Sequence, residues 1–384
     1  IRDKLVTGVQ TCALPIYMLE PRVWLNTRIG ILTGGGDAPG LNAVIRAVVL
    51  AANRHYGWEV IGIREGFDGL LSGAPTLTLN EYTVRDLLAR GGTILGAANR
   101  GNPFAQRHEH PDGTVEYTDV SHIALERMEA LKLDALIVAG GDGTMSIAAK
   151  LVQMGARIVG VPKTIDNDLN LTDVTFGFDT AISTATEALD KLQTTAESHH
   201  RAMVLEVMGR NAGWIALKAG VAGGADAILI PEIPFRIDVV CNKIRDLQAS
   251  GRRYSLIVVA EGAKPVGGEQ QFYISGNPLM EARLGGMGYT VGNLLHECLG
   301  VEVRVTVLGH LQRGGQPTPH DRWLATRFGW AAVHLVAQKQ WGHMVALRGE
   351  KLTSVPMVDA TSTKRVDPEG DLVQMARDLG IVFG

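Results

Sequence analysis

The chain of 384 residues is long enough for two domains, and its composition is that of an ordinary folded protein, 46% hydrophobic and 20% charged with a net charge of −3. That balance argues against nucleic acid as the main partner, which usually wants a strongly basic face, and no apolar run approaches the roughly 18 residues of a membrane span. Three cysteines, Cys12, Cys241 and Cys298, are too few and too scattered for a disulfide framework or a zinc site, so a reducing cytoplasm is expected.

Residues 1 to about 17 carry no periodicity that fits the rest of the chain, and they lack the parts of a signal peptide. Val6 to Ile16, VTGVQTCALPI, resembles the in-frame translation of a common short-read sequencing adapter; a non-native leader is expected, with Met18 as the start. From Arg28 the pattern alternates. Arg28 to Thr33 reads as a buried strand, GGGDAPG (Gly34 to Gly40) as a turn and Leu41 to Arg54 as a helix. Glu59 to Ile63 is a second strand, and Val84 to Ala89 a helix ending in Gly91-Gly92. Ile123 to Leu131 is helical, Ala135 to Ala139 a strand, GGDGT a turn, Thr144 to Met154 a helix and Ile158 to Val161 a strand. This alternation predicts a parallel sheet covered on both faces. Ligands of such sheets bind beyond the carboxyl ends of the strands, where all three polar loops fall.

The second half repeats the pattern. Helices are predicted at Ile182 to Ala196, Ala212 to Gly220, Val239 to Ala249 and Tyr289 to Cys298. Strands are predicted at Ala202 to Val207, Ala227 to Ile230, Ser255 to Ala260 and Glu302 to Val307. The tail from Gln316 reads as helical through Ala337, then mixed, packing back on the first domain. The expected fold class is α/β: two Rossmann-like, three-layer domains with mostly parallel sheets and the active site in the cleft between them. Residues 1–27 are the leader and lead-in; 28–177 plus about 312–350 form the first domain, and 178–311 plus about 351–384 the second.

GVPKTIDND (Gly160 to Asp168) places a lysine and two carboxylates directly after an apolar strand. Pro162 disfavours helix, and in an extended chain Asp166 and Asp168 share one face while Asn167 turns away. The two carboxylates can then converge on one substrate, with Lys163 as nearby opposite charge; a capped turn is the alternative. GGGDAPG lets backbone N–H groups face an anion at a helix N-terminus, yet it is not a P-loop, because no Gly-Lys-Ser/Thr follows. In GGDGT (Gly140 to Thr144), Asp142 can hold Mg²⁺ while the glycines admit a polyphosphate; the alternative is an Asp-Gly turn feeding a helix that begins at Thr144. Arg201 and Arg210 flank one buried strand, and Arg304, His310 and Arg313 surround another, as a phosphate site would require.

With these motifs in order (ILTGGGDAPGLNAVIR, GGTILG, GGDGT, PKTIDND, EVMGRNAGW, PEIPF and TVLGHLQRGG), the chain resembles the 6-phosphofructokinases from about Arg28 to about Gly329. The resemblance implies transfer of a phosphoryl group from ATP-Mg²⁺ to the 1-hydroxyl of fructose 6-phosphate. It places Asp166 as the catalytic base and Asp142 at the magnesium position. Gly35, Arg100, Gly143, Thr144 and Lys163 fall at donor positions. Thr164, Asp168, Met208, Gly209, Arg210 and Glu232 line the sugar site. Arg201, Arg304, His310 and Arg313 surround the 6-phosphate, Arg201 and Arg304 reaching in from a neighbouring subunit of a homodimer or homotetramer. Gly143 matches ATP users of the family, whereas Lys163 matches pyrophosphate users, so a pyrophosphate-dependent enzyme is the alternative. An NAD or lipid kinase shares GGDGT but explains neither PKTIDND nor GHLQRGG. A non-catalytic nucleotide- or sugar-phosphate-binding regulator could dispense with Asp166, which is present here. Of the two effector-site arginines that some relatives carry on the first helix, Arg46 matches one and Leu50 replaces the other, which does not imply simple effector control. No nucleic acid or membrane partner is implied.

Overall fold

The computed structural model describes residues 27–98, 101–110, 113–274 and 283–384; the leader and Arg100 lie outside the described residues. Strand β1 (Arg28–Thr33) passes through the first glycine loop into α1 (Leu41–Ala51). There follow β2 (Glu59–Ile63), α2 (Gly66–Ser72), β3 (Leu77–Leu79) and the single turn α3 (Glu81–Val84). A hairpin of β4 (Gln106–Glu109) and β5 (Val115–Thr118) precedes α4 (Ser121–Ala130), β6 (Ala135–Gly140), α5 (Asp142–Gln153) and β7 (Ile158–Pro162).

The second half runs α6 (Phe178–His199), β8 (Ala202–Val207), α7 (Trp214–Ala222), β9 (Ala227–Leu229), α8 (Ile237–Ala249) and β10 (Ser255–Ala260). The short pair β11 (Phe272–Ile274) and β12 (Arg283–Leu284) comes next, then α9 (Met287–Leu299) and β13 (Val303–Val307). The chain closes with α10 (Pro319–Ala337), β14 (His343–Arg348), β15 (Lys351–Pro356), α11 (Met357–Ala360) and α12 (Asp371–Asp378).

These strands form one sheet of order β15-β14-β7-β6-β1-β2-β3 and a second of order β13-β8-β10-β9. The second is parallel throughout; in the first only the edge strands β15 and β3 run antiparallel. Both faces of each sheet's central strands are buried, which is why they read as continuous apolar runs. On β6, Ile137 and Ala139 pack with α1 and α10, while Leu136 and Val138 pack with α2, α4 and α5. On β10, Val258 and Ala260 join the α6–α7 core and Ile257 and Val259 the α8–α9 core. Between the halves, the fully buried Asp321 of α10 accepts from the Thr180 amide of α6 at 2.8 Å and its hydroxyl at 2.6 Å. No helix among the described residues is long and apolar enough to cross a membrane.

Several expectations are corrected. The Asn80–Thr83 capping box starts a helix at Glu81, which ends at Val84, the first residue of the expected span Val84 to Ala89. Helix α1 widens into a π-helical turn, Ala52–Tyr56, that Gly57 ends in the left-handed region. The tail stays with the first sheet past residue 350, because β15 pairs with β14 and Met357 and Ala360 enter the first sheet's core. Cys241 and Cys298, 57 positions apart, form a disulfide because α8 and α9 pack side by side.

Beside the π-helical turn, the Tyr56 hydroxyl meets His334 Nδ1 at 2.7 Å, with Trp330 and Trp58 packed around the pair. Burial, with His55 adding, lowers the His334 pKa to about 4. The unfolded chain therefore takes this proton first, and the stability that neutral His334 contributes is lost as pH falls from about 6.5 towards 4. The gap in thermal midpoint between wild type and His334→Gln should narrow by a few degrees on going from pH 7 to pH 4.5. A gap independent of pH would contradict this account.

Candidate active site

The loops at the carboxyl ends of β1, β6 and β7 in the first sheet face those after β8, β10 and β13 in the second. On the first side, Gly34 to Asp37 follow β1, and an open hollow beside them is lined by Gly35, Gly36, Asp37, Thr93, Gly96 and Ala97. Buried Asn42 fixes the far wall: its side chain donates to the Arg90 and Gly91 carbonyls and accepts from the Ile94 amide. After β6, Asp142 is the first residue of α5, exposed, and its Oδ1 accepts the Gly143 amide at 2.7 Å. Thr144 is buried between two glycines: a Cβ at Gly34 would lie 2.7 Å from its side chain and one at Gly140 2.3 Å. Thr144 therefore presents its backbone in the first turn of α5, while its side chain sets the spacing of the two loops. A Cβ at Gly143 would meet nothing within 4 Å.

Strand β7 delivers Lys163, a residue only 3% exposed whose Nζ donates to the Gly36 carbonyl. Burial, with Arg313 adding, lowers its pKa to about 8 against the pull of Asp37, Asp166 and Asp168. The next turn is built by its own side chains. Thr164 Oγ1 accepts the Asp166 amide at 3.1 Å, and the Thr175 hydroxyl donates to the Thr164 carbonyl at 2.7 Å. Asn167 faces away from the two aspartates, though through a left-handed backbone, φ 52°, and not an extended one. Its Oδ1 accepts the Thr175 amide at 3.1 Å and Lys364 Nζ at 3.2 Å. Asp166 is half-buried, and its Oδ1 is shielded from solvent without a hydrogen-bond partner. Burial raises the Asp166 pKa while Arg313 and Lys163 oppose the shift. Asp168 is pushed up to about 7 by burial and then by Asp166 and Asp142, against a hydrogen bond from Thr164.

On the second side, β8 is followed by buried Met208 and Gly209, then Arg210. The Met208 amide donates to Oε1 of buried Gln312 at 2.9 Å, which ties this loop to the turn Gly309–Gln312 carrying His310. Arg313 bridges the two sides, its NH1 donating to the Asp37 carbonyl at 3.1 Å. His310 lies exposed on the same turn. Sequence reasoning missed Glu261, at the end of β10. Its amide donates to the Val207 carbonyl at 2.8 Å. Burial, then Asp166 and Glu206, push its pKa up to about 8, with Arg313 and Arg210 opposing. The available signal was an Ala-Glu-Gly turn after a buried strand.

Two expectations fare differently. Glu232, expected in the sugar site, has its carboxylate occupied: it accepts the Gly213 amide at 3.0 and 3.1 Å and the Val366 amide at 2.9 Å. Arg201 precedes β8 and Arg304 is the second residue of β13, at the opposite strand ends from Met208 and His310; both pair with Glu302. Arg100 lies outside the described residues. Among the described residues no group of three or more His, Cys, Asp or Glu could hold a metal. Magnesium does not need one, because one or two carboxylates together with substrate phosphates and water complete its shell.

Two parallel α/β sheets aiming glycine amides, carboxylates and cations at one junction form the arrangement of a phosphoryl-transfer protein. The model of the phosphofructokinase family matches residues 28–336. The ATP-dependent 6-phosphofructokinase of Chloroflexus aggregans is 54% identical over 358 residues, 93% of this chain and 98% of that relative. ATP-dependent 6-phosphofructokinase 2 of Clostridium perfringens is 49% identical, again over 93% and 98% of the two chains. Among solved structures, phosphofructokinase from Saccharomyces cerevisiae is 34% identical with a TM-score of 0.72, covering 88% of this chain and 45% of that one. The pyrophosphate-dependent phosphofructokinase of Marinobacter aquaeolei shares the fold, with a TM-score of 0.74 at 22% identity over 93% of this chain and 88% of that one. The chain belongs to the phosphofructokinase family.

Glu261 gives the site a pH signature. Its folded pKa lies above the unfolded glutamate value of about 4.3, so its contribution to stability is intact below that pH and is lost as pH rises through 8. Glu261→Gln keeps the shape of the neutral acid. The ligand-free variant should melt several degrees above wild type at pH 8.5 and close to it at pH 5. Equal midpoints at pH 8.5 would count against the buried acid.

Proposed function

We propose that the protein is an ATP-dependent 6-phosphofructokinase, moving a phosphoryl group from ATP to the 1-hydroxyl of fructose 6-phosphate to give fructose 1,6-bisphosphate. The observation that carries this reading is the shielded, unpartnered Oδ1 of Asp166, with Lys163, Arg210 and Arg313 acting on its carboxylate. A sugar hydroxyl supplies the donor that this oxygen lacks, and a carboxylate made more basic by burial is suited to take its proton. Asp168, Glu261, Arg210, Met208 and Gly209 would orient the sugar, while His310 and Arg313 face its phosphate. The donor would lie on the first sheet's side, along Gly35, Gly143 and the N-terminus of α5. Asp142 would hold Mg²⁺, which when bound neutralises charge on the donor phosphates. Lys163 and Arg313 add fixed positive charge where charge develops during transfer.

Arg201 and Arg304, at the far strand ends of their own chain, would serve the 6-phosphate of a neighbouring copy in an oligomer. Replacing Asp166 by Asn should lower turnover about 10²–10⁴-fold with the Kd for fructose 6-phosphate little changed, read by steady-state kinetics and calorimetry. Turnover within a few-fold of wild type would remove Asp166 from the role of base.

Pyrophosphate as donor is the second reading, favoured by Lys163 beside the first glycine loop. The open space at Gly143 weighs against it: an acidic side chain there would project into that space and repel a nucleotide phosphate, and none is present. Lys163 can stabilise the transferring group with either donor. A direct assay decides between them, with ATP-Mg²⁺ expected to support turnover and Gly143→Asp expected to reduce ATP use at least about tenfold, the effect of ~1.4 kcal/mol. Efficient turnover with pyrophosphate and negligible turnover with ATP would reverse the assignment.

A further inference from the structure

Beyond residues 28–336, the part matched by the family model, residues 361–366 form an irregular strap joining the active-site loops of the two sheets. On one side it holds the loop that carries Asp166 and Asp168. Thr363 bridges Leu169, Ser362 Oγ accepts from Asn170 Nδ2 at 2.9 Å, and the Lys364 amide donates to the Asp168 carbonyl at 2.7 Å. On the other side it holds the start of α7. The Lys364 carbonyl accepts Trp214 Nε1–H at 2.9 Å, and the Val366 amide donates to Glu232, which also holds the Gly213 amide. Val366 is itself buried in the α6–α7 core.

Lys364 is the hub of the strap. An ammonium has three donors, and here they reach Asn167 Oδ1 at 3.2 Å, the Thr172 carbonyl at 2.9 Å and the Asp173 carbonyl at 3.0 Å. All three oxygens belong to one loop. Asn167 is the left-handed residue between the two aspartates, so whatever fixes its side chain fixes the directions of both. Glu232 takes a place in the same scheme: it anchors the strap's far end beside the loop of Arg210.

We propose that Lys364 is a positioning residue that clamps the loop of Asp166 and Asp168 to the start of α7, keeping the base in register with the sugar-binding groups of the second sheet. This rests on the role given to Asp166 above. Lys364 itself touches no reacting atom in this account.

The test compares full-length wild type, Lys364→Met and Lys364→Arg in steady-state kinetics, thermal melting and amide hydrogen exchange. Methionine keeps the stem of the side chain and removes its donors. Since a displacement of 1 Å can cost about 10²-fold in rate, turnover of Lys364→Met should fall about 10–100-fold while the KM for ATP changes less than about threefold. Exchange across residues 164–175 should accelerate more than elsewhere, and Lys364→Arg should recover part of the turnover. If Lys364→Met fails to fold, Trp214→Phe, which removes only the bond to the strap carbonyl, should show the same split at smaller size. The proposal is overturned if turnover and loop exchange both match wild type, or if activity falls only in proportion to the unfolded fraction. Wild type without turnover on fructose 6-phosphate would refute the functional reading instead, and loop exchange in Lys364→Met would still decide whether Lys364 holds the loop.

Discussion

The structure turns on the burial of charge where two sheets meet. Lys163, Asp166, Asp168, Glu261 and Arg313 are brought out of water together, and for the first four burial is the leading cause of a shifted pKa. Unpaired buried charge costs several kcal/mol, so a site of this kind persists by protonating acids and by committing cations to carbonyl oxygens. Both occur here: Asp168 and Glu261 are poised to hold protons near neutrality, and Lys163 and Arg313 donate to the Gly36 and Asp37 carbonyls. A phosphorylated ligand changes that balance by supplying negative charge to the cations. On the proposed reading, that exchange of partners contributes to orienting substrates, which is where phosphoryl transfer needs it.

Holding such a cluster requires stiff loops, and the support lies just behind them. Thr144 fills the space left by Gly34 and Gly140, so neither loop can close on the other. Asn42 pins residues 90–94, Gln312 pins Met208, and Asp321 binds α10 to α6. Each is a buried polar side chain with backbone partners. That choice gives directional positioning where apolar packing alone would leave the loop angles soft.

Much of this was legible in the sequence, for a definite reason. Strands buried on both faces are short apolar runs closed by a glycine one or two residues on, so β1, β8 and β10 are read to the residue. Elements without that signature were missed: α2, β3 and the β4–β5 hairpin are short and partly exposed. In the site, the loop motifs were legible because glycine and proline restrict what the backbone can do there. Glutamates after buried strands look alike in sequence. Glu232 and Glu261 both follow apolar runs, and only tertiary structure shows that Gly213 and Val366 take the first while the second faces Asp166. The disulfide of Cys241 and Cys298 was hidden likewise, since helix packing and not spacing along the chain brings the two together.

The strand geometry also bears on assembly. Arg201 and Met208 stand at opposite ends of β8, a separation of roughly 20 Å at about 3.3 Å per residue, and a side chain cannot span it. Arg304 stands at the same far end on β13, register-paired with Met203. The edge strand β13 is only partly covered by its own chain: Arg304 is exposed, Val307 is 40% exposed, and Leu311 beyond it is 68% exposed. Glu302 pairs with both arginines at this open edge. If these arginines serve a sugar phosphate, as proposed, the phosphate belongs to another copy, and exposed β13 is the surface through which the copies would meet. The isolated chain then holds the base, the donor loops and half of the phosphate-binding groups. Assembly would supply the rest, which makes oligomer formation part of substrate recognition and not merely of stability.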